Sequence, residues 1–333
     1  MRALLYLAAP ALALTRLEPR DGAILHGGGE YPGNFETYSA FLGARGPSVK
    51  MLYFGDWPAL NSTPPGAVNS WFAAAAAALD GDAAPDGAFV VVQLGLQLPL
   101  NGGEAAVASG ALDAAVRALT AGLRALARPV FLRVGYEFNG PWNGYRAPSY
   151  IGAYRRIAAA VRADDVLNAT VALVWDGSCD AAVDPTPFWP GADVVDWQGV
   201  NIFSGASAPA APAGSCLWFW LNTSTFDGIP LMIGEATPRG LNVSDPAAGA
   251  WRAWYAPLLA LLDAFPRVKL LSYIDMDWEA TDNGRWKGWG DSRVEVALAS
   301  GVAAAWQAEL ERARWVNRLG RDAMLAALGL PLA

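Results

Sequence analysis

The chain has 333 residues, with 24 basic and 31 acidic side chains, a net charge of −7, a hydrophobic fraction of 53% and a charged fraction of 17%. This composition excludes extensive disorder, and no apolar run reaches the roughly 18 residues that a membrane-spanning helix needs. The acidic balance speaks against nucleic acid or an anionic membrane as partner, and a single His with two Cys cannot build a Cys/His zinc site.

In chain order, residues 1–13 read as a secretory leader. They hold a basic residue, an apolar run and the cleavage-like Ala11-Leu12-Ala13. Sequons at Asn61, Asn168, Asn222 and Asn242 lean the same way. So does the even pair Cys179 and Cys216, which a secreted protein could bridge between two neighbouring loops. A secreted glycoprotein is the expectation.

Eight β-rich runs then alternate with helix-like stretches. The expected strands are Ala23–His26, Val49–Phe54, Ala88–Leu96, Pro129–Tyr136, Thr170–Trp175, Val195–Phe203, Leu231–Glu235 and Val268–Ile274. Several are continuously apolar, as suits parallel strands covered on both faces. Helices are expected at Ser70–Leu79, Gly110–Ala127, Ser149–Arg162, Pro246–Ala264 and Val294–Arg314. Eight β/α units in this length make an α/β fold, a single (β/α)8 TIM barrel over 20–316 with a C-terminal tail at 317–333. An open doubly wound sheet would show a glycine-rich phosphate turn after its first strand, and none is present.

In a barrel the chemistry sits where strands end. Two of those ends carry Glu beside aromatic residues: Arg133-Val134-Gly135-Tyr136-Glu137-Phe138-Asn139-Gly140-Pro141-Trp142 and Ile233-Gly234-Glu235. The run His26-Gly27-Gly28-Gly29 looks like an esterase oxyanion loop, but the chain has no G-x-S-x-G turn and no second histidine. A pair of carboxylates remains, which is the equipment of glycoside hydrolysis; that chemistry needs no metal or cofactor. The competing reading makes each Glu a rim salt-bridge partner, with Arg133 the mate of Glu137.

The fourth-strand run resembles the signature of glycoside hydrolase family 26. Ile233-Gly234-Glu235 resembles that family's seventh-strand nucleophile motif, and Val195–Asn201 is similar to its sixth-strand segment. The resemblance covers about two-thirds of the chain. It implies a retaining mechanism with Glu137 as acid/base and Glu235 as nucleophile, acting on β-mannan, β-1,3-xylan or mixed-linkage β-glucan. Two positions depart from the family pattern. Tyr136 stands where the family has His, and Phe203 lies where the clan has a Tyr that hydrogen-bonds the nucleophile. Asn201 and Tyr273 are the candidates to replace that Tyr.

Trp is in excess, with 15 copies. Indole faces stack on sugar C–H faces, so Trp57, Trp142, Trp175, Trp278, Trp286 and Trp289 near strand ends are expected to form a sugar platform. His26, Arg133, Tyr136, Asn139, Asn201 and Tyr273 are further candidates for substrate contact. The expectation is a monomeric, endo-acting polysaccharide hydrolase. The alternative is a catalytically silent barrel that binds glycans.

Overall fold

Apolar segments covered on both faces become the parallel strands of a closed barrel. The computed structural model describes residues 15–331 apart from 21, 30, 32, 56, 58–69, 82–86, 182, 205–214, 224–227 and 282–283. The leader-like segment 1–13 and the sequon at Asn61 lie outside the described residues.

The strands are β1 (Ile24–Gly29), β2 (Val49–Phe54), β3 (Val91–Leu96), β4 (Val130–Val134), β5 (Val171–Ser178), β6 (Trp197–Ser204), β7 (Leu231–Arg239) and β8 (Val268–Tyr273). Each pairs in parallel with the next, and β8 and β2 both pair with β1, so the sheet closes as the (β/α)8 pattern requires. The expected β1 ended at His26. Instead the strand runs on through Gly27, Gly28 and Gly29, because a Cβ at Gly27 would lie 2.2 Å from Oγ of Ser272 on β8. The glycine run that looks like an oxyanion loop is therefore a close strand contact.

The helices are α1 (Asn34–Leu42), α2 (Ser70–Gly81), α3 (Glu104–Ser109), α4 (Asp113–Ala125), α5 (Ala147–Arg162), α6 (Asp165–Thr170), α7 (Cys216–Asn222), α8 (Ala256–Ala264), α9 (Val302–Leu310) and α10 (Arg321–Ala327). Two expected helices are shorter than their periodicity suggested. The stretch Pro246–Ala264 is interrupted by Gly249 in the left-handed region (φ 57°) and a π-helical turn at Trp251–Tyr255 before α8. The stretch Val294–Arg314 is helical only over α9, because Asp275 Oδ1 takes the Val294 N–H at 2.7 Å and Gly301 (φ 76°) sets the start of the helix. Asp291 accepts from Arg293 N at 3.1 Å within a turn and caps no helix.

After α9 the chain adds β9 (Trp315–Val316) to the edge of β1. Met324 and Leu325 of α10 and the following Leu328 pack with Leu25, Val49 and Phe131, so this segment covers the floor of the barrel. Cys179 beyond β5 and Cys216 at the start of α7 are disulfide-bonded, with Cα atoms 5.4 Å apart. Among the described residues, no helix is long and apolar enough to cross a membrane.

Candidate active site

A cleft of about 800 Å³ opens at the C-terminal ends of the strands, with Glu137 and Glu235 among its lining residues. Local backbone geometry aims both carboxylates. Strand β4 stops at Val134 because Gly135 (φ 59°) and Glu137 (φ 52°) are both left-handed. For a glutamate that conformation is strained, and strain of this kind persists only where surrounding contacts hold it. Here Asn143 Nδ2 and Gly140 N donate to the Glu137 carbonyl at 3.0 and 2.7 Å.

On β7 a register shift pairs Val200 with Ile233 and Asn201 with Glu235, so Gly234 is the extra residue of a bulge. A Cβ there would come within 3.0 Å of both Asn201 Oδ1 and Asp176 Oδ1. Glycine at 234 thus makes room for the polar network below the cleft.

That network centres on Arg133, which is fully buried. Its Nη2 donates to Glu235 Oε1 at 2.6 Å, Asp176 Oδ2 at 2.7 Å and Asn201 Oδ1 at 3.0 Å. It makes no hydrogen bond to Glu137, so the salt-bridge reading fails for that residue, whereas Glu235 is ion-paired with Arg133. Tyr53 on β2 donates its hydroxyl to the same Glu235 Oε1 at 2.9 Å. Glu137 receives one donor on each oxygen: Asn201 Nδ2 on Oε1 at 3.0 Å and Trp142 Nε1 on Oε2 at 2.9 Å.

Burial, reinforced by the charge of Glu235, pushes the Glu137 carboxyl up to about 8. Burial also raises Asp176, to about 6, against the pull of Arg133. A buried carboxyl held near 8 can give up a proton at neutral pH, and the second carboxylate beside it is anchored by a guanidinium.

The cleft wall is aromatic. Trp278, Trp286 and Trp289 lie with ring centroids 4.8–5.6 Å apart, and Phe203 meets Trp289 at 5.4 Å. Tyr136 lies edge-on to Tyr53 at 5.3 Å.

Of the residues read from the sequence, Tyr136, Glu137, Trp142, Glu235, Trp278, Trp286 and Trp289 line the cleft. Arg133 and Asn201 are fully buried behind the carboxylates and position them without facing the cleft. Five others are elsewhere. His26 is buried outside the barrel wall, bonded to Tyr38 OH at 2.9 Å and Asn317 Oδ1 at 3.0 Å, and burial lowers it to about 4. Tyr273 spends its hydroxyl on Tyr255 OH and Ser292 O. Trp175 stacks on Phe138 at 4.7 Å in the core, and Trp57 donates to the Gln97 carbonyl. Asn139 braces the end of β5, accepting from Ser178 N at 2.8 Å and donating to Ser178 O at 3.0 Å. In each case the polar or flat part of the side chain is consumed by the fold.

Sequence reasoning missed Tyr53 and Asp176. Tyr53 is the penultimate residue of β2, so its side chain alternates to the face opposite Phe54, whose position ended the expected strand. Asp176 lies inside β5, which extends three residues past its expected end at Trp175. The replacement for the absent sixth-strand tyrosine comes from the opposite side of the barrel.

No family model matches the chain. It is 30% identical over 248 residues to a β-1,3-xylanase of an Alcaligenes species, spanning 66% of this chain and 50% of that protein. The likeness is to β-1,3-xylanases. A second, from a Vibrio species, is 29% identical over 260 residues, spanning 69% of this chain and 53% of that protein. The chain thus spans about half the length of the curated relatives it matches. Among solved structures, a GH26 β-mannanase from Bacteroides ovatus aligns with a TM-score of 0.60 over 89% of this chain and 90% of that one, at 15% identity, and so shares the fold. These similarities agree with the family 26 resemblance of the strand-end motifs.

Proposed function

We propose that the protein is a retaining glycoside hydrolase that cleaves within β-1,3-xylan, with β-mannan and β-glucan as the next candidates. The observation that carries this reading is the pair of buried strand-end carboxylates in unlike surroundings, linked through Asn201. The curated relatives' names favour xylan.

In the first step Glu235 attacks the anomeric carbon while the bond to the leaving oxygen breaks, and Glu137 gives its proton to that oxygen. In the second step Glu137, now ionised, takes a proton from water, whose oxygen displaces Glu235 from the sugar. Both steps conserve charge within the site. Glu235 is suited to attack because Oε1 alone is bonded by Arg133 and Tyr53. Its Oε2 accepts no hydrogen bond from the described residues. The indoles of Trp286 and Trp289 provide faces for neighbouring sugars, with the buried Trp278 packed behind them.

The silent-barrel alternative rested on the loss of polar groups at Tyr136 and Phe203. Tyr53 supplies a donor to the nucleophile in compensation, which favours catalysis.

The test is a screen on xylo-, manno-, gluco- and galacto-configured polysaccharides, with Glu235→Gln as control. Turnover of one substrate that Glu235→Gln abolishes is expected. Azide should rescue Glu137→Ala on activated aryl glycosides and yield a glycosyl azide of unchanged anomeric configuration. An inverted azide product would show that the two roles are exchanged.

A further inference from the structure

The mechanism above uses Glu137, Glu235, Arg133 and Asn201 but leaves a third buried carboxylate unexplained. Asp176 is fully buried on β5 and does not line the cleft, so it cannot touch a sugar. Its Oδ2 nevertheless accepts from the same nitrogen, Arg133 Nη2, that bonds Glu235 Oε1, at 2.7 and 2.6 Å. Space for it is reserved by a neighbouring strand. A Cβ at Gly199 on β6 would lie 2.2 Å from Asp176 Oδ1.

We propose that Asp176 is a positioning residue that acts through Arg133, keeping the guanidinium compensated and in place while negative charge passes from Glu235 to Glu137. The proposal rests on the glycosidase reading and deepens it. Before reaction the cluster holds Glu235⁻, Asp176⁻, Arg133⁺ and protonated Glu137. When Glu235 becomes an ester, Glu137 carries the displaced charge but makes no bond to Arg133. Without Asp176 the buried guanidinium would then have no hydrogen-bonded anion, only the more distant charge of Glu137, an arrangement that costs heavily in a low-dielectric interior. Asp176 also divides the attraction of Arg133, so that Glu235 is oriented without being held too tightly to attack.

Few charged or titratable groups face Asp176. Arg133 and Glu137 do so from β4 and its end, and Glu235 from β7. Tyr150 faces it from α5 with its hydroxyl spent on the Val134 carbonyl. Tyr53 reaches the cluster through its hydroxyl on Glu235 and through its ring, 5.9 Å from the Arg133 guanidinium, and the Tyr136 ring lies 5.2 Å from the same group. Asp176 adds to the repulsion that keeps the proton on Glu137. Neutralising it therefore moves Glu137 toward lower pH.

The experiment compares wild-type protein with Asp176→Asn on the polysaccharide found in the screen. The expected result is a kcat lowered on the order of 10- to 100-fold with KM within about twofold, because the affected group acts on the transition state and not on substrate binding. The basic limb of kcat/KM should also move to lower pH. A folded Asp176→Asn enzyme with unchanged kcat and unmoved pH limbs overturns the proposal, since a purely structural aspartate would change stability alone.

Should Asp176→Asn fail to fold, carboxyl 13C NMR of wild-type and Glu235→Gln proteins decides the matter without substrate. Glutamine mimics the neutralised nucleophile. Asp176 should remain ionised at pH 7 in Glu235→Gln and titrate at lower pH than in wild type, as the repulsion from Glu235 is gone. A protonated Asp176 at pH 7 in that variant overturns the proposal. The titration is independent of turnover, so it stands apart from failure of the glycosidase reading, which the polysaccharide screen detects.

Discussion

Asn201, on β6 two strands along from β4, donates its amide to Oε1 of Glu137 at 3.0 Å. Its own carbonyl oxygen is held by Arg133, which also grips Glu235. One amide therefore fixes the acid/base candidate relative to the nucleophile candidate, and its two ends cannot be exchanged. Asn201→Ala should lower kcat/KM on the order of 10- to 100-fold, the usual scale for losing one positioned donor near reacting groups. Asn201→Asp should be worse still, as it adds a fourth carboxyl to the cluster. Steady-state kinetics on the preferred polysaccharide, with circular dichroism to confirm folding, checks both.

The pH profile follows from Glu137. In the proposed mechanism its carboxyl is protonated to serve the leaving group, and burial lifts it to about 8. Activity should hold through neutrality and fall as pH rises through about 8. Because the folded value exceeds that of the unfolded chain, this group's contribution to stability is full below about 4.5 and is lost as pH rises from there to about 8. Glu137→Gln should remove this loss of stability, measurable as a flatter dependence of Tm on pH between 5 and about 9.

Tyr53 and Tyr273 make a contrasting pair. Tyr53→Phe removes a donor from Glu235 Oε1. It should cost roughly 10-fold in kcat with little change in Tm. Tyr273→Phe strands Tyr255 OH and Ser292 O in the core. It should lower stability by about 1–3 kcal/mol and leave kcat of the folded enzyme nearly unchanged. Equal kinetic losses in the two variants would contradict the assignment of Tyr53 to the nucleophile.

His26 belongs to the fold and not to the cleft. Its ring nitrogens are bonded to Tyr38, Asn317 and the Arg45 carbonyl, and burial keeps it neutral down to about 4. The folded value is depressed, so stability is lost as pH falls below the unfolded value near 6.5. His26→Ala should destabilise by about 2–4 kcal/mol while kcat per folded molecule stays within about twofold. Urea unfolding and active-site titration separate the two effects.

Reduction of the Cys179–Cys216 bond, which closes a 37-residue separation, should cost about 2–4 kcal/mol through the entropy of the unfolded chain. Asp180, next to Cys179, lines the cleft, so KM for long oligosaccharides should rise more than KM for short ones.

The barrel was legible because eight apolar runs separated by amphipathic stretches admit few other parallel arrangements, and every strand core agreed with the structure. The strand boundaries were not legible. They depend on close contacts such as Gly27 against Ser272 and on the bulge at Gly234, which involve residues far apart in the chain. Those boundary errors explain the missed site residues. Ending β5 at Trp175 put Asp176 in a loop, and starting the search at Phe54 overlooked Tyr53.

The sequence by itself determined the barrel, the two strand-end glutamates and the aromatic supply, because periodicity and residue chemistry are local properties. Only the tertiary structure decided which aromatics face the cleft. An indole at a strand end can point into the cleft, as Trp286 does, or into the core, as Trp175 does, and that choice depends on what packs behind it. The same holds for charge. Arg133 is four residues from Glu137 in the chain, yet closure of the barrel brings Glu235 and Asp176 to its guanidinium. Glu137 makes no direct ion pair with Arg133, so burial and the charge of Glu235 outweigh the pull of that cation and hold its carboxyl up to about 8.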